Sequence, residues 1–167
     1  MSPARLDPLD ADESLVDLRC AVVVIDRDEV LLVERHPQRT GSAPDWVLPG
    51  GRPRPGESMQ SCARRETREE TGVRVDPQRV AFVAEVTDPD SGSRIVELVF
   101  WAQLEPEQQR PSSLTGEAGT TPAWVTITAL PKLNLRPPIA GYLPGLASSR
   151  THATAAYLGN LWRPVAT

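Results

Sequence analysis

The chain has 167 residues, a mass of 18.2 kDa and a formal net charge of -4 at pH 7. This length fits one domain, and a hydrophobic content of 40% with a charged content of 24% argues against a disordered chain or a membrane protein. A pI near 5.2 makes polymeric nucleic acid a poor partner, because proteins that hold it use broad positive surfaces. Cys20 and Cys62 form no disulfide framework, so we expect a reducing, cytoplasmic location.

The first half of the chain predicts short strands followed by one helix. The β-branched run at 18–25 predicts a buried strand, and residues 30–34 predict the strand that returns from it in a hairpin. A proline-containing loop leads to a short strand at 46–48. Residues 58–71 contain no helix breaker and predict a helix that ends at Gly72.

The second half predicts another hairpin and several shorter elements. Residues 79–87 and 94–104 alternate apolar and polar side chains on either side of a turn, so they predict paired strands. We expect a short strand near 124–127 and a helical turn at 129–133. The prolines that open residues 137–148 favour a short helix.

We expect a single domain at residues 17–150 with a segment at each end. Residues 1–16 are polar, acidic and rich in proline, and they predict a flexible N-terminal arm. Residues 151–167 predict a C-terminal tail that packs on the domain or on a partner. The apolar stretch at 157–162 makes a homodimer a possible assembly. Because no stretch is long and apolar enough to span a bilayer, we expect no membrane partner.

The helix at 58–71 carries an unusual concentration of acidic residues. Three carboxylates are spaced at i, i+3 and i+4: Glu66, Glu69 and Glu70. At about 100° per residue they share a sector with small or apolar residues of the preceding turns, so we expect them on the inward side. These preceding residues are Met59, Cys62 and Ala63. Carboxylates this close repel one another, and a single guanidinium from Arg65 neutralises only part of their charge.

The chemistry of this cluster favours a divalent metal ion. Carboxylate oxygens without His or Cys nearby select Mg²⁺ or Mn²⁺ over zinc. Magnesium keeps bound waters and accepts phosphate oxygens, which points to a phosphorylated substrate. From the residues alone, the alternative is the ordinary solvated face of a charged helix.

The loop before the helix adds a pattern to these acids. It contains Gly50, Gly51 and Gly56, which permit close approach of the backbone to a ligand. The stretch GRPRPGESMQSCARRETREETGV at 51–73 resembles the Nudix box. The positions that match the box are Gly51, Glu57, Arg65, Glu66, Glu69, Glu70, Gly72 and Val73. Thr67 stands where the pattern has a bulky aliphatic residue, and we expect slightly poorer packing there with the chemistry retained.

This resemblance implies a fold and an activity. It implies an α/β protein of one domain, built as the Nudix α/β/α sandwich with a mixed β-sheet. The activity it implies is metal-dependent hydrolysis of the diphosphate in a small nucleotide, a nucleoside diphosphate linked to another group, by attack of water at phosphorus. The alternative is a Nudix-like domain that senses nucleotides without turnover.

The resemblance also implies roles for individual residues. The Mg²⁺ or Mn²⁺ ligands it implies are Glu66, Glu69 and Glu70, with Glu57 in support. Gly50 is a candidate to offer its carbonyl oxygen to the metal, and the alternative is an ordinary turn glycine. Glu66 is our first choice for the general base that takes a proton from water, and Arg65 is expected to orient a carboxylate.

Nudix proteins also recruit an acid outside the box, and two residues compete for that role. Glu117 lies seven residues before Trp124, in the loop where such an acid often lies, and is our first choice. Glu97 lies in the predicted strand at 94–104 with apolar neighbours on the same face, so it is the rival. A β-bulge would instead turn Glu97 outward.

Three residues are candidates for substrate contacts. Arg35 and Arg52 suit phosphate because a guanidinium can bond two oxygens at once. Trp46 can stack on a base, with a core position as the alternative. Pro89 lies near a position where family members that cleave ADP-ribose often carry proline, which slightly favours that substrate.

Overall fold

The computed structural model describes residues 15–36, 43–148 and 154–163. These residues form nine strands: β1 (Val16–Val23), β2 (Ile25–Asp26), β3 (Glu29–Arg35), β4 (Asp45–Val47), β5 (Gly50–Gly51), β6 (Val75–Thr87), β7 (Arg94–Leu104), β8 (Thr120–Thr126) and β9 (Ala156–Asn160). They also form the helices α1 (Met59–Thr71) and α2 (Leu143–Ser148) and a 3-10 helix (Ile127–Lys132). None of these described helices has the length and apolar character to cross a bilayer.

The strands form two sheets. One has five strands in the order β5-β1-β7-β6-β9, in which β1 and β7 are parallel while β6 and β7 are antiparallel. The other is antiparallel and is built around β3, which pairs with β2, β4 and β8. The first sheet is therefore mixed, as predicted.

The chain passes from one sheet to the other within its first apolar run. β1 pairs with β5 and β7, and only Ile25–Asp26 pairs with β3, so the predicted hairpin between 18–25 and 30–34 is wrong for most of its length. The turn of the short hairpin has positive φ at both Arg27 and Asp28 (49° and 62°), as a tight two-residue turn requires. Since the run is apolar on both faces, its pattern did not reveal which strand it pairs with.

Two clusters of buried side chains explain that continuous run. Cys20, Val22 and Val24 belong to a cluster that includes residues of α1. The alternate residues of the same run belong to a second cluster, which includes Leu130 of the 3-10 helix and Leu143 of α2. Helices therefore cover both sides of the β-structure, and the prediction of a single α/β domain of this layered type is confirmed.

Helix α1 begins and ends where its sequence predicts. The Ser58 hydroxyl accepts a hydrogen bond from the Ser61 backbone N–H at 3.1 Å and caps the N-terminus. Gly72 ends the helix with a φ of 73°, and its N–H donates to the Arg68 carbonyl at 2.9 Å. Glycine is favoured at this position because a Cβ atom is strained in the left-handed region.

Two buried threonines lie on the inward face of α1. The Thr67 hydroxyl donates to the Ala63 carbonyl at 2.7 Å, and the Thr71 hydroxyl donates to the Thr67 carbonyl at 2.6 Å. Thr71 also accepts a hydrogen bond from the Val73 N–H at 3.1 Å. The departure from the box at Thr67 thus buries a hydroxyl that has a hydrogen-bond partner.

The later elements follow the predicted order with different boundaries. The hairpin predicted at 79–87 and 94–104 is present as β6 and β7, although β6 begins four residues earlier, at Val75. β8 begins at Thr120, before the predicted 124–127. The short helix predicted over 137–148 is confined to Leu143–Ser148.

The two terminal segments have different outcomes. The predicted arm at 1–16 lies outside the described residues except for its last two, and Val16 already begins β1. In the C-terminal segment, β9 pairs in parallel with β6, and the Leu161 N–H donates to the Glu85 carbonyl at 2.8 Å. Residues 154–163 therefore pack on the domain, one of the two expected outcomes for the tail.

Candidate active site

Arg65, a partly buried residue of α1, joins three carboxylates. Its Nε and Nη2 donate to the two oxygens of Glu57, each at 2.8 Å. Its Nη1 donates to Glu66 Oε1 and, at 3.0 Å, to Glu69 Oε2. The ion pair with Arg65 is the main reason that the pKa of Glu57 falls from 4.5 to about 2, and Glu57 in turn raises the pKa of Arg65. The expected role of Arg65, to orient a carboxylate, is consistent with these contacts.

Gly51 makes room for the carboxylate of Glu66. A Cβ atom at position 51 would lie 2.3 Å from Glu66 Cδ and 2.4 Å from Glu66 Oε2. Any side chain larger than hydrogen therefore displaces the Glu66 carboxylate. The first glycine of the box is explained by this close approach between strand β5 and helix α1.

Glu70 is bound to Gly50, the residue before Gly51. Its side chain is buried, with 8% of the residue exposed, and its Oε2 accepts a hydrogen bond from the Gly50 N–H at 2.8 Å. Burial raises the pKa of Glu70, and the Gly50 N–H opposes that change. Gly50 thus contacts this carboxylate through its amide.

The three glutamates of α1 do not share one inward face, contrary to the prediction. Glu70 is buried, Glu66 is half-buried and Glu69 is exposed. Met59, which was expected on the inward side, is also exposed. The inward positions of α1 are occupied by small and polar residues: Cys62, Ala63, Thr67 and Thr71. The three acids therefore run from the buried to the exposed side of α1, and Glu66 and Glu70 contact β5.

A cavity of about 710 Å³ opens beside these acids. Five carboxylates are among its lining residues: Glu66 and Glu70 of α1, Glu97 of β7, Asp17 of β1 and Asp88; Gly50 and Gly51 line it as well. Its volume is that of a typical small-molecule site.

Arg19 and Glu97 form a buried ion pair in the wall of the cavity. They are partners in the parallel register of β1 and β7, and Arg19 Nε donates to Glu97 Oε1 at 3.0 Å. Arg19 Nη2 also donates to the Leu48 carbonyl at 2.8 Å. Glu97 is only 3% exposed, and burial raises its pKa while Arg19 opposes the rise. Glu97 therefore faces inward, and the register irregularities of β6 and β7 lie elsewhere, between Pro77 and Phe82.

The structure brings some of the predicted site residues together. Arg35 and Arg52 both line the cavity. Arg52 is paired with Asp17 at 2.8 Å, whereas Arg35 makes no ion pair within the described part of the chain. Burial, followed by the nearby Arg19, lowers the pKa of Arg35.

Five predicted site residues are outside the described lining of this cavity: Glu57, Arg65 and Glu69, which form the ion-pair cluster beside it, and Trp46 and Glu117. Trp46 is half-buried and packs against the core cluster that includes Leu130 and Leu143, in keeping with its alternative role. Glu117 is exposed and is not among the described residues that line the cavity. Its backbone carbonyl accepts hydrogen bonds from the hydroxyl and the N–H of Thr120. Of the two candidate outer acids, the structure thus brings Glu97 beside the box.

Sequence reasoning missed much of the cavity wall, including Arg19, Arg136 and Trp162. A charged residue inside an apolar strand was a usable signal for Arg19, because such a residue needs a buried partner. No local sequence pattern indicates that Arg136 or Trp162 belongs to the site. Both come from the part of the chain after the 3-10 helix and reach the cavity only through the tertiary fold.

The oxygen donors beside the cavity fit a hard divalent cation. The carboxylates of Glu66 and Glu70 line it, and its described lining contains no His or Cys. Glu66 and Glu69 hydrogen-bond Arg65, and within the described ranges no three His, Cys, Asp or Glu residues are arranged to hold an ion. A metal bound by Glu66 and Glu69 would therefore compete with Arg65 for their oxygens.

A family model described as the NUDIX domain matches residues 17–146. The chain therefore belongs to the NUDIX domain family, and the family resemblance drawn from the box is confirmed.

Curated and structural relatives agree with this family. A human protein named 8-oxo-dGDP phosphatase NUDT18 is 31% identical over 111 residues, which are 66% of this chain and 32% of that protein. The chain thus spans about a third of the length of this relative.

Solved structures show the same fold. A NUDIX hydrolase from Nitrosomonas europaea superposes with a TM-score of 0.63 at 23% identity, covering 81% of this chain and 90% of that one. An ADP-ribose pyrophosphatase from Streptococcus suis superposes with a TM-score of 0.59 at 25% identity, covering 84% and 98%.

Proposed function

We propose that this protein hydrolyses the diphosphate of a small nucleotide, a nucleoside diphosphate linked to another group, with Mg²⁺ or Mn²⁺. The observation that carries the proposal is the meeting of Glu66, Glu70 and Glu97 in one cavity that also contains Arg35. Carboxylates for a metal and a guanidinium for phosphate are the groups that diphosphate hydrolysis needs.

The metal ligands that we propose are Glu66, Glu69 and Glu70, with Glu57 in a supporting role and the Gly50 carbonyl as a further oxygen. A bound divalent cation would offset the negative charge of the diphosphate and of its transition state. Glu57 acts through Arg65, because its bidentate ion pair fixes the guanidinium that also contacts Glu66 and Glu69.

Two acids are candidates to take the proton from the attacking water. Glu66 is our first choice, because it lines the cavity and Gly51 leaves its carboxylate room. Glu97 is the outer acid that the geometry favours, because its buried carboxylate lines the same cavity and burial raises its pKa. Glu117 stays a prediction from the sequence. Comparing the kinetics of Glu97→Gln and Glu117→Gln decides which of these two acids acts.

Arg35 is the phosphate contact that we favour. Arg35 lines the cavity near Arg19, and the two positive charges together favour the binding of an anion there. Arg52 lines the cavity as well, but its guanidinium already pairs with Asp17 at 2.8 Å. We therefore expect a larger loss of substrate affinity for Arg35→Ala than for Arg52→Ala.

The choice of nucleotide is the finer part of the proposal. The name of the human relative favours an oxidised guanine nucleoside diphosphate, while Pro89 and the name of the Streptococcus suis structure favour ADP-ribose. A panel of 8-oxo-dGDP, GDP, ADP-ribose, a nucleotide sugar and a nucleoside triphosphate, each with and without Mg²⁺, tests both. Hydrolysis of at least one member that requires Mg²⁺ supports an enzyme. Nucleotide binding without turnover across the panel would instead support a sensing domain.

We also propose a cytoplasmic location, supported by two free, buried cysteines, Cys20 and Cys62. A homodimer stays a prediction from the sequence. Sedimentation equilibrium of the full chain would test it.

A further inference from the structure

The cavity wall combines two kinds of chemistry. Acidic residues, among them Glu66 and Glu70 of the box, and several arginines supply its polar part. Apolar side chains from several separate segments supply another part: Leu18, Val47, Val86, Ile95, Pro137, Pro138, Leu161 and Trp162. Within the described lining, Trp162 is the only aromatic residue. A nucleotide has the same division, with a charged diphosphate and a flat, largely apolar base.

The segment that carries Trp162 is fixed to the domain on both sides of that residue. Before it, Asn160 Oδ1 accepts hydrogen bonds from the backbone N–H groups of Thr87 at 3.0 Å and of Trp162 at 3.1 Å. After it, the Arg163 carbonyl accepts a hydrogen bond from Arg136 Nη1 at 3.0 Å. Because the backbone is already ordered, a ligand that contacts Trp162 loses less affinity to ordering the protein.

This segment lies outside the shared part of the family domain. The family model matches residues 17–146, whereas β9 and the residues after it follow at 156–163. The box and its acids are thus common to the family, and the aromatic part of the wall is added by a segment beyond the match. Such an addition changes which substrates fit without changing the groups that act on the diphosphate.

We propose that Trp162 stacks on the nucleobase of the substrate and, with Leu161 beside it in the cavity wall, selects nucleotides over diphosphates that lack a base. An aromatic ring stacks on the π-face of any base, so this contact gives affinity for nucleotides as a class. The inference rests on the proposed function, because it takes the diphosphate to lie beside Glu66 and Glu97 in the same cavity.

The test is equilibrium binding to the full chain in the presence of Mg²⁺. The probes are α,β-methylene ADP and α,β-methylene GDP, in which the bridging carbon prevents hydrolysis, and base-free methylenediphosphonate. We expect Trp162→Ala to weaken binding of both nucleotide analogues about tenfold, which equals about 1.4 kcal/mol at 25 °C, and to leave methylenediphosphonate binding unchanged. Trp162→Phe should retain most of the affinity, and Trp162→Leu, which keeps apolar volume without an aromatic face, should not.

The matched control is Tyr157→Ala. Tyr157 is an aromatic residue of the same segment, is 66% exposed and does not line the cavity as described, so its removal should leave both kinds of probe unaffected. Thermal unfolding of each variant checks that the domain is intact, and Trp162→Phe against Trp162→Leu keeps the test valid if the alanine variant is unstable.

Three results would overturn the inference: unchanged nucleotide affinity in Trp162→Ala, equal weakening of methylenediphosphonate, or no nucleotide binding by the unaltered chain. Failure of the proposed function looks different. A chain that binds nucleotides through Trp162 but hydrolyses none refutes the enzyme and supports the stacking role. Hydrolysis with normal nucleotide affinity in Trp162→Ala supports the enzyme and refutes the stacking role.

Discussion

A Cβ atom at Gly51 would lie 2.3 Å from the Cδ atom of Glu66, so the glycine leaves the space in which the carboxylate lies. The first prediction follows from this contact. Because the end of the Glu66 side chain can swing away, Gly51→Ala should fold with nearly unchanged stability. Its kcat should fall about 100-fold, because the displaced carboxylate no longer lies where the reaction needs it.

Steady-state kinetics and thermal unfolding of Gly51→Ala test this prediction. Gly141→Ala is the control, since a Cβ atom there meets no atom within 4 Å. A Gly51→Ala variant with the kcat of the unaltered chain would show that the position of Glu66 does not matter for turnover.

The second prediction decides between the two outer acids. Glu97→Gln should lower kcat by about 100-fold or more, the usual contribution of a group that transfers a proton, because Glu97 lines the cavity. Glu117→Gln should retain kcat within about twofold, because Glu117 is exposed and lies outside the described lining. The opposite ranking in side-by-side kinetics would return the role to Glu117.

A third prediction concerns pH and the Glu57–Arg65 ion pair. The pKa of Glu57 in the folded chain is about 2, against an ordinary value of 4.5, so its ionised form is favoured by folding. The stability that it contributes is fully present above pH 4.5 and is lost as the pH falls toward 2. Glu57→Gln should therefore reduce the free energy of unfolding most above pH 4.5, and the two proteins should converge in acid.

Denaturant unfolding without metal, from acid to neutral pH, measures this difference. Glu107→Gln is the control, because Glu107 is exposed and has no ion pair with a described residue. A difference between Glu57→Gln and the unaltered chain that stays constant down to acid pH would contradict the assignment.

Two buried threonines of α1 give a fourth prediction. Thr67→Val restores the branched aliphatic residue that the box has at this position. It removes a hydroxyl that donates to the Ala63 carbonyl, so the unfolding free energy should change by no more than about 1 kcal/mol, the net contribution of one hydrogen bond. Thr71→Val leaves the buried Val73 N–H without its acceptor and should cost about 1 to 3 kcal/mol. Urea unfolding compares the two, and a larger loss for Thr67→Val would contradict this account.

The sequence predicted helix α1 closely because its signals are local. Ser58, Gly72 and an uninterrupted helical stretch define its ends, and the spacing of the box then brings Arg65 within reach of Glu69 one turn away. The distribution of acids around α1 was predicted less well. Thr67 and Thr71 occupy the inward face with hydroxyls bonded to the helix itself, which a hydrophobic periodicity does not anticipate.

Features that depend on pairing between distant strands were not predictable from local patterns. The run at 18–25 is apolar on both faces, so its pattern did not show that β1 pairs with β7 and not with β3. The same register brings Arg19 beside Glu97 from 78 residues away. Trp162 enters the cavity only because β9 pairs with β6.

The most direct test of the central claim is ³¹P NMR of 8-oxo-dGDP and ADP-ribose incubated with the unaltered chain and with Glu66→Gln, each with and without Mg²⁺. We expect new phosphorus resonances from cleaved diphosphate for at least one of these substrates, only with Mg²⁺ and only in the unaltered chain. Equal product formation without any divalent ion, or in Glu66→Gln, would contradict it.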